Sequence, residues 1–177
     1  IEIINQDFDE KIKQYSDLKG IKELEKNRKY RKFIDLCGQL RCQARWSNVH
    51  RIPKTSVLGH SLFVAILSYF FSYEIGACAL RKSNNFFTGL FHDLPEVLTR
   101  DILSPIKSSV KGLDELIKDY EKEQMHKYVY TIIPEDMAKE IRFFTEDEFE
   151  DAKTLDGQFF PRDGKLVRAA DELSAFI

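Results

Sequence analysis

The sequence predicts an all-α protein, built as a single bundle of several helices. Two observations support this fold class: apolar residues recur at the three- and four-residue spacing of amphipathic helices, and no segment shows the alternation of a β-strand. The chain has 177 residues, of which 43% are hydrophobic, enough for one domain with a sizeable core. We divide it into an N-terminal helical extension, residues 1–32, and a main domain, residues 33–177.

The first half of the main domain contains two predicted helices. Apolar spacing predicts a helix from Phe33 to about Trp46, followed by a break near Pro53. The next helix is predicted from Val57 to Leu80 and is apolar nearly all round, so a membrane span must be considered. Frequent serines and tyrosines and the bundle pattern of the remaining chain favour a central buried helix, and we expect no membrane partner.

The second half begins with a helix from Phe86 that carries the adjacent pair His92–Asp93. Pro95 ends this helix, because proline disfavours helical backbone at the residue before it. Two neighbouring side chains diverge by about 100° on a helix, so both reach one point only near a helix end. Three further helices are predicted over 113–120, 134–144 and 165–177, with turns or a small hairpin over 155–164.

Two histidines and two aspartates lie on these separate helices. His60 precedes the His92–Asp93 pair by 32 residues, and Asp171 follows it by 78. All four lie on apolar helical patterns, where carboxylates are rare unless they are paired or bound to a metal. A lone histidine in such a place is more often a hydrogen-bonded core residue, but together the four offer two nitrogens and two oxygens. That set suits one divalent transition ion such as Mn, Fe, Co or Zn.

Composition excludes several other classes. The net charge of −2 provides no basic field that would attract nucleic acid. Cys37, Cys42 and Cys78 are odd in number and form no CxxC motif, which indicates reduced thiols in a cytoplasmic protein. The sequence begins with Ile1 rather than Met and stops inside an apolar helical pattern, so we expect part of a longer protein. The oligomeric state stays open, a homodimer included.

Four stretches of this sequence resemble the HD-domain metal-dependent phosphohydrolases, and more narrowly the YfbR-like bacterial 5′-deoxynucleotidases. They are Arg45-Trp46, SVLGH ending at His60, HDLPEVLTRD from His92 to Asp101, and VRAADELSAF around Asp171. The stretches occur in the family's order, and the resemblance covers residues 33–177. One position departs from the family pattern: Gly59 stands where an acidic residue usually precedes the first metal histidine.

The resemblance implies hydrolysis of a (deoxy)nucleoside 5′-monophosphate to nucleoside and phosphate, with one divalent ion (Co, Mn, Zn, Fe or Mg). It implies a catalytic role for Glu96, which would orient or deprotonate the attacking water, and for the ligand Asp93. It implies that Arg45 holds the phosphate, a task that suits a bidentate guanidinium. Trp46 and Asp101 would contact the sugar. The implied metal ligands are His60, His92, Asp93 and Asp171.

Two alternatives remain open from the sequence. One is an HD hydrolase of another phosphorylated nucleotide, a diphosphate or an alarmone-like molecule; the Arg45-Trp46 pair and the LTRD stretch favour the monophosphate instead. The other is a non-catalytic HD module that binds a nucleotide, against which the complete ligand set and Glu96 argue. A bimetallic phosphodiesterase would need more histidine ligands, and only His50 and His126 remain.

Overall fold

The computed structural model is all-α, as the sequence predicts. It describes residues 14–15, 18–45, 54–100, 110–153 and 161–176. Within these ranges no β-strand forms, and two isolated β-bridges pair extended residues. The helices in chain order are α1 (Lys19–Lys26), α2 (Arg28–Gln39), α3 (Val57–Glu74), α4 (Ala79–Phe91), α5 (Glu96–Thr99), α6 (Leu113–Met125), α7 (Glu135–Thr145) and α8 (Gly164–Ser174).

The segment after α2 differs from the predicted helix to Trp46. A single 3₁₀ turn, Leu40–Cys42, ends the helical backbone. Ala44 then forms an antiparallel bridge with Ser56, and the amide of Arg45 donates to the carbonyl of Thr55 at 2.9 Å. The bridge therefore places Arg45 beside the start of α3, on extended backbone rather than on a helix.

Helix α3 has well-defined ends. The hydroxyl of Ser56 accepts a hydrogen bond from the amide of Gly59 at 3.0 Å, as an N-cap does. The expectation that the helix reaches Leu80 is wrong, because it ends at Glu74. Gly76 has a φ of +66°, the left-handed conformation that glycine adopts readily and that commonly ends a helix.

Helix α4 begins at Ala79, earlier than the predicted Phe86, and ends at Phe91. The amide of His92 still bonds to the carbonyl of Thr88 at 2.9 Å, after which residues 92–95 form a turn. Pro95 precedes the short helix α5. The His92–Asp93 pair therefore lies just past a helix end, as the position of Pro95 predicts.

Helices α3 and α4 pack unusually closely. A Cβ atom added at Gly89 would lie 2.9 Å from Cα of Ala65, which is shorter than real contacts of this kind. Helix α8 packs against both helices, and its Val167 and Ala170 join Val64 in a buried cluster. The close approach of these three helices positions the residues predicted to bind metal.

A second, larger apolar core is separate from this cluster. It is built from buried side chains of α2, α3, α6 and α7 and of the turns beside them: Phe33, Leu40, Val57, Leu94, Met125, Val129, Tyr130, Ile133, Ala138 and Ile141. Leu94 belongs to the turn that carries His92 and Asp93, so this core anchors that turn from behind.

A buried polar cluster fixes the start of α8. The carboxylate of Asp163 accepts hydrogen bonds from the guanidinium of Arg81 and, at 2.8 Å, from the side-chain amide of Asn85. The amide of Asn85 also donates to the hydroxyl of Ser72 at 2.8 Å. Since these partners lie on α3 and α4, the cluster holds α8 in register with both helices.

Helix α3 is long and apolar enough to cross a membrane, judged by length and composition alone. The core helix of a soluble protein passes the same test, and α3 packs on α4 and α8 and carries the buried His60. The expectation of a central buried helix is only partly correct. The sides toward α4 and α8 are buried, whereas the opposite side is exposed.

Candidate metal centre

The turn after α4 presents His92 with one ring nitrogen already bonded. Its Nδ1 lies 2.8 Å from the carbonyl oxygen of Gly89, one turn earlier on α4. A carbonyl only accepts, so Nδ1 carries the proton and donates it. In the neutral ring the other nitrogen, Nε2, then carries the lone pair, which is the form of histidine that binds a metal.

His60 is oriented in the same way from α3. Its Nδ1 lies 3.1 Å from the hydroxyl oxygen of Ser174 on α8. That hydroxyl donates its proton to the carbonyl of Asp171 at 2.7 Å, so toward His60 it accepts. Nδ1 of His60 is thus the donor, and Nε2 has the free lone pair. Sequence reasoning missed Ser174; its position three residues after Asp171, on the same side of a helix, was the available signal.

The predicted ligand atoms converge. Nitrogens of His60 and His92 and a carboxylate oxygen of Asp93 all lie within 4.8 Å of one another. Nε2 of His92 is 3.2 Å from Oδ2 of Asp93. Oδ1 of Asp171 lies 2.9 Å from Nε2 of His60 and 3.7 Å from Nε2 of His92. The structure therefore brings together four side chains from α3, α8 and the turn after α4.

The hydrogen-bonding state of these atoms fits a metal ion. Nε2 of His60, Nε2 of His92 and Oδ2 of Asp93 are buried, and their contacts of 2.9 to 3.7 Å with one another and with Asp171 lack hydrogen-bond geometry. Leaving buried polar atoms without a partner is costly, and here three of them face a common point. Two imidazole nitrogens with two carboxylate oxygens form a donor set for a borderline divalent ion.

Arg45 lies at the same place. Its Nη1 is 3.1 Å from Oε1 of Glu96 and 3.4 Å from Oδ2 of Asp93, and its Nη2 is 3.7 Å from Oδ1 of Asp171. One guanidinium therefore contacts three carboxylates. The bridge between Ala44 and Ser56 accounts for this position, because it holds the Arg45 backbone against the start of α3.

Glu96 is the first residue of α5 and is buried. Its amide bonds to the carbonyl of Asp93 at 3.1 Å, which closes the turn between the two residues. Oε1 of Glu96 is bonded to Arg45, whose guanidinium also contacts Asp93 and Asp171, so Glu96 lies beside the proposed ligands. That is the arrangement expected of a base next to a metal.

The concentration of charge shifts the pKa values of these groups. Burial alone would raise the pKa of the Asp93 carboxyl, but His92, then Arg45 and His60, outweigh it and lower the pKa to about 2. Burial likewise opposes protonation of His92, yet Asp93 and Asp171 outweigh it and raise the pKa of its imidazole above the usual value. His60 and His92 together lower the pKa of Asp171 against the effect of its burial. Strong shifts from specific partners are typical of functional sites.

A cavity of about 80 Å³ adjoins His92 on the side of α6 and α7. Lys118 and Lys122 of α6 and Glu148 after α7 contribute to its wall. Burial raises the pKa of the Glu148 carboxyl. Sequence reasoning treated 146–151 as a solvated acidic loop, which is incorrect for Glu148, since this residue is half-buried beside the candidate centre.

Two of the residues assigned to substrate, Trp46 and Asp101, lie outside the described residues. Their roles therefore stay predictions. The structure brings all six of the other predicted residues into one site: His60, His92, Asp93, Asp171, Arg45 and Glu96.

This chain is similar to a family model, to three named relatives and to a solved structure. A family model described as the HD domain matches residues 37–177. A 5′-deoxynucleotidase of Pectobacterium atrosepticum is 24% identical over 155 residues, covering 82% of this chain and 69% of that protein. A 5′-deoxynucleotidase of Pasteurella multocida is 25% identical over 157 residues, with 82% and 71% covered.

A third 5′-deoxynucleotidase, from Cronobacter sakazakii, is 27% identical over 156 residues, covering 82% of this chain and 69% of that protein. Among solved structures, an HD-domain phosphohydrolase from Listeria innocua superimposes with a TM-score of 0.65 at 20% identity. The match covers 81% of this chain but 65% of the Listeria chain, so this chain spans less than two thirds of that structure's length. At this identity the likeness supports the fold.

Proposed function

This chain belongs to the HD domain family, and from that premise we propose that it is a metal-dependent phosphohydrolase of (deoxy)nucleoside 5′-monophosphates, releasing nucleoside and phosphate. The observation that carries the proposal is the convergence of His60, His92 and Asp93, all buried, with ligand atoms within 4.8 Å of one another whose mutual contacts lack hydrogen-bond geometry. A cationic and an acidic side chain, Arg45 and Glu96, stand directly beside them.

The proposed metal ligands are His60, His92, Asp93 and Asp171. A bound divalent ion would lower the pKa of a coordinated water and neutralise charge on a phosphate oxygen. Hydrogen bonds within the chain orient the two histidines. Gly89 accepts from Nδ1 of His92 and Ser174 accepts from Nδ1 of His60, which leaves both Nε2 atoms available for the metal. Preorganised donors of this kind limit the ordering that binding requires.

Arg45 is the proposed phosphate-binding residue. Its guanidinium has two nitrogens directed at the carboxylates of the centre, at 3.1 to 3.7 Å. A phosphate that approaches the metal ligands therefore meets Arg45 at once, and a guanidinium forms strong, charge-assisted hydrogen bonds with phosphate oxygens. Arg45 also neutralises the carboxylates, which would otherwise repel a dianionic substrate.

Glu96 is the proposed base. It is buried next to Asp93 and is bonded to Arg45 through Oε1. A carboxylate held there accepts the proton of an attacking water while Arg45 binds the phosphate. Trp46 and Asp101 are proposed to contact the sugar. The resemblance supports these residue roles, and the 5′-deoxynucleotidase names of three relatives, at identities of 24% to 27%, support the substrate class.

A phosphate-release screen tests the proposal. The purified chain is assayed with dAMP, dGMP, TMP, AMP and ADP in the presence of Co²⁺, Mn²⁺, Zn²⁺ or Mg²⁺. We expect release from 5′-monophosphates with at least one transition ion, and loss of both activity and bound metal in Asp93→Ala. Exposed His126 supplies the matched control, His126→Ala, which should retain both. Phosphate release from ADP alone would indicate a nucleoside diphosphate substrate in place of the proposed monophosphate. Metal binding without phosphate release from any nucleotide would contradict the proposed catalysis.

A further inference from the structure

A groove of about 740 Å³ lies between the end of α2, the extended segment that follows it and α5. Gln43 and Ala44 in its wall directly precede Arg45, and Val97 directly follows Glu96. Two residues of the candidate centre therefore continue along the chain into the walls of this groove. Its volume is within the range of about 300–1,000 Å³ that is usual for small-molecule sites.

Gln43 and Arg45 are close enough to hold the two ends of one small molecule. Gln43 has extended backbone, with φ of −92° and ψ of 125°. Two residues of extended chain span at most about 7 Å between Cα atoms. A nucleotide whose phosphate binds at Arg45 can therefore direct its base toward Gln43, with the sugar between the two.

The side-chain amide of Gln43 lacks a partner inside the protein. Its Oε1 is buried and has no hydrogen bond to any residue that the structure describes. A buried acceptor without a donor is costly and calls for an explanation. The terminal torsion of a glutamine side chain is broad, so the amide can turn to meet a ligand in the groove. A ligand with an N–H group would supply the missing donor.

We propose that this groove binds the base of the nucleotide and that Gln43 selects adenine, an inference that rests on the proposed function. A glutamine amide forms two hydrogen bonds with adenine: Oε1 accepts from the N6 amino group and Nε2 donates to N7. Half-buried Val97 and Leu98 of α5 supply apolar contact for the ring. The sequence resemblance assigned residues to the phosphate and the sugar and none to the base.

The other side chains of the groove also suit a neutral, planar ring. No carboxylate is found among the lining residues that are described, so the groove offers no carboxylate ligand for a second metal ion. Arg100 lines the groove, and the plane of a guanidinium can stack on a base. Arg100 also has a φ of +67°, which is uncommon for a residue with a Cβ atom. Backbone strain of this kind clusters at ligand sites.

Calorimetric titration with dAMP and dIMP tests this inference, because dIMP carries an oxygen where dAMP carries the N6 amino group. The titrated protein is the metal-loaded Glu96→Gln chain, whose slow turnover leaves the nucleotide intact. We expect dAMP to bind at least about 10-fold more tightly than dIMP, the order of discrimination that one bidentate pair provides. Gln43→Leu, added to this chain, should abolish the preference chiefly by weakening dAMP binding.

Two further variants separate the hydrogen bond from a change in packing. Gln43→Glu keeps an acceptor oxygen, so it should retain part of the preference for dAMP. The matched control is Gln124→Leu, at a half-buried glutamine of α6 that does not line the groove; it should retain all of the preference. Circular dichroism and bound metal should be unchanged in every variant.

Three results would overturn the inference. One is equal affinity for dAMP and dIMP in the parent chain. Another is a Gln43→Leu chain that still prefers dAMP. The third is a parent chain that binds neither nucleotide up to about 1 mM.

Phosphate release distinguishes a failure of this inference from a failure of the proposed function. A wild-type chain that hydrolyses nucleotides while its parent variant binds dAMP and dIMP equally would keep the proposed function and lose the adenine site. Selective dAMP binding without phosphate release would keep the adenine site and contradict catalysis.

Discussion

Nδ1 of His60 lies 3.1 Å from the hydroxyl oxygen of Ser174, although 114 positions separate the two residues in the chain. The same hydroxyl is committed as a donor to the carbonyl of Asp171. Ser174 thus decides which nitrogen of His60 carries the proton, and it links the helices that carry two of the proposed metal ligands.

Replacement of Ser174 should therefore weaken metal binding. Without the hydroxyl, the His60 ring loses both its orientation and its preference for a proton on Nδ1. We expect Ser174→Ala to lower the affinity for Co²⁺ or Zn²⁺ by about 10- to 100-fold, the usual effect of such an outer partner. Ser174→Thr should restore most of it. Calorimetric titration measures this directly, with Ser83→Ala, at an exposed serine of α4, as the control. Equal affinities in Ser174→Ala and wild type would refute the role.

Loss of the Glu96 carboxylate should lower turnover and leave metal binding unchanged. This carboxylate is buried and bonded to Arg45, beside the proposed ligands. In Glu96→Gln we expect unchanged metal content and a kcat lower by about 10² or more, the scale of a general base. Metal analysis and steady-state kinetics separate the two effects. Metal loss in this variant would make Glu96 a ligand, and wild-type turnover would remove it from the mechanism. Glu140→Gln, at an exposed position of α7, is the control.

Arg45 and Trp46 should differ in the way their loss affects substrates. Arg45→Ala removes contacts to the phosphate, which all nucleotides share, so kcat/KM should fall alike for dAMP and AMP. Trp46→Ala should mainly narrow the difference between the two sugars, within the limit of about 10²-fold that an apolar pocket achieves for one hydroxyl. If wild type prefers neither sugar, or if Trp46→Ala slows both substrates equally, the deoxynucleotidase assignment loses its support.

Gly89 should tolerate no side chain. An added Cβ would lie 2.9 Å from Cα of Ala65 on the facing helix, and the backbone there cannot yield locally. We expect Gly89→Ala to lower the free energy of unfolding by about 1–3 kcal/mol, despite the better helix propensity of alanine. Gly38→Ala is the control: its Cβ would come only within 3.9 Å of the Arg41 side chain, so stability should hold or rise by up to about 1 kcal/mol. Urea unfolding compares the two variants, and equal shifts would contradict close packing at Gly89.

Cys37 should be the least reactive of the three cysteines. Burial raises the pKa of its thiol to about 11, whereas Cys42 and Cys78 are exposed. Only the thiolate is alkylated, and the raised pKa keeps the Cys37 thiol protonated at pH 8. The alkylation rate of Cys37 should therefore increase about tenfold per pH unit until the pH nears 11. Timed alkylation with iodoacetamide and mass spectrometry give the three rates. Cys37 should match the others in urea, and fast labelling of Cys37 in the native protein would refute its burial.

Local sequence signals predict much of the site, and tertiary contacts decide the rest. Pro95 fixes the helix end that lets His92 and Asp93 face one point, and the spacing from Val167 places Asp171 on the packed side of α8. Local spacing could not place Arg45, which only the resemblance assigned to the site, because its position depends on the bridge from Ala44 to a residue twelve positions away. The left-handed Gly76 ended α3 where apolar spacing alone predicted continuation.

The span between His60 and the helix that carries Asp171 and Ser174 also sets when the site can form. During synthesis, α3 and α4 leave the ribosome long before α8, so the nascent chain presents two imidazoles and one carboxylate without the fourth ligand or the serine that orients His60. Tight metal capture must wait until residue 174 has emerged and α8 has docked on the older helices. Metal loading of the proposed centre would therefore follow the synthesis and docking of α8 and report that the fold is complete.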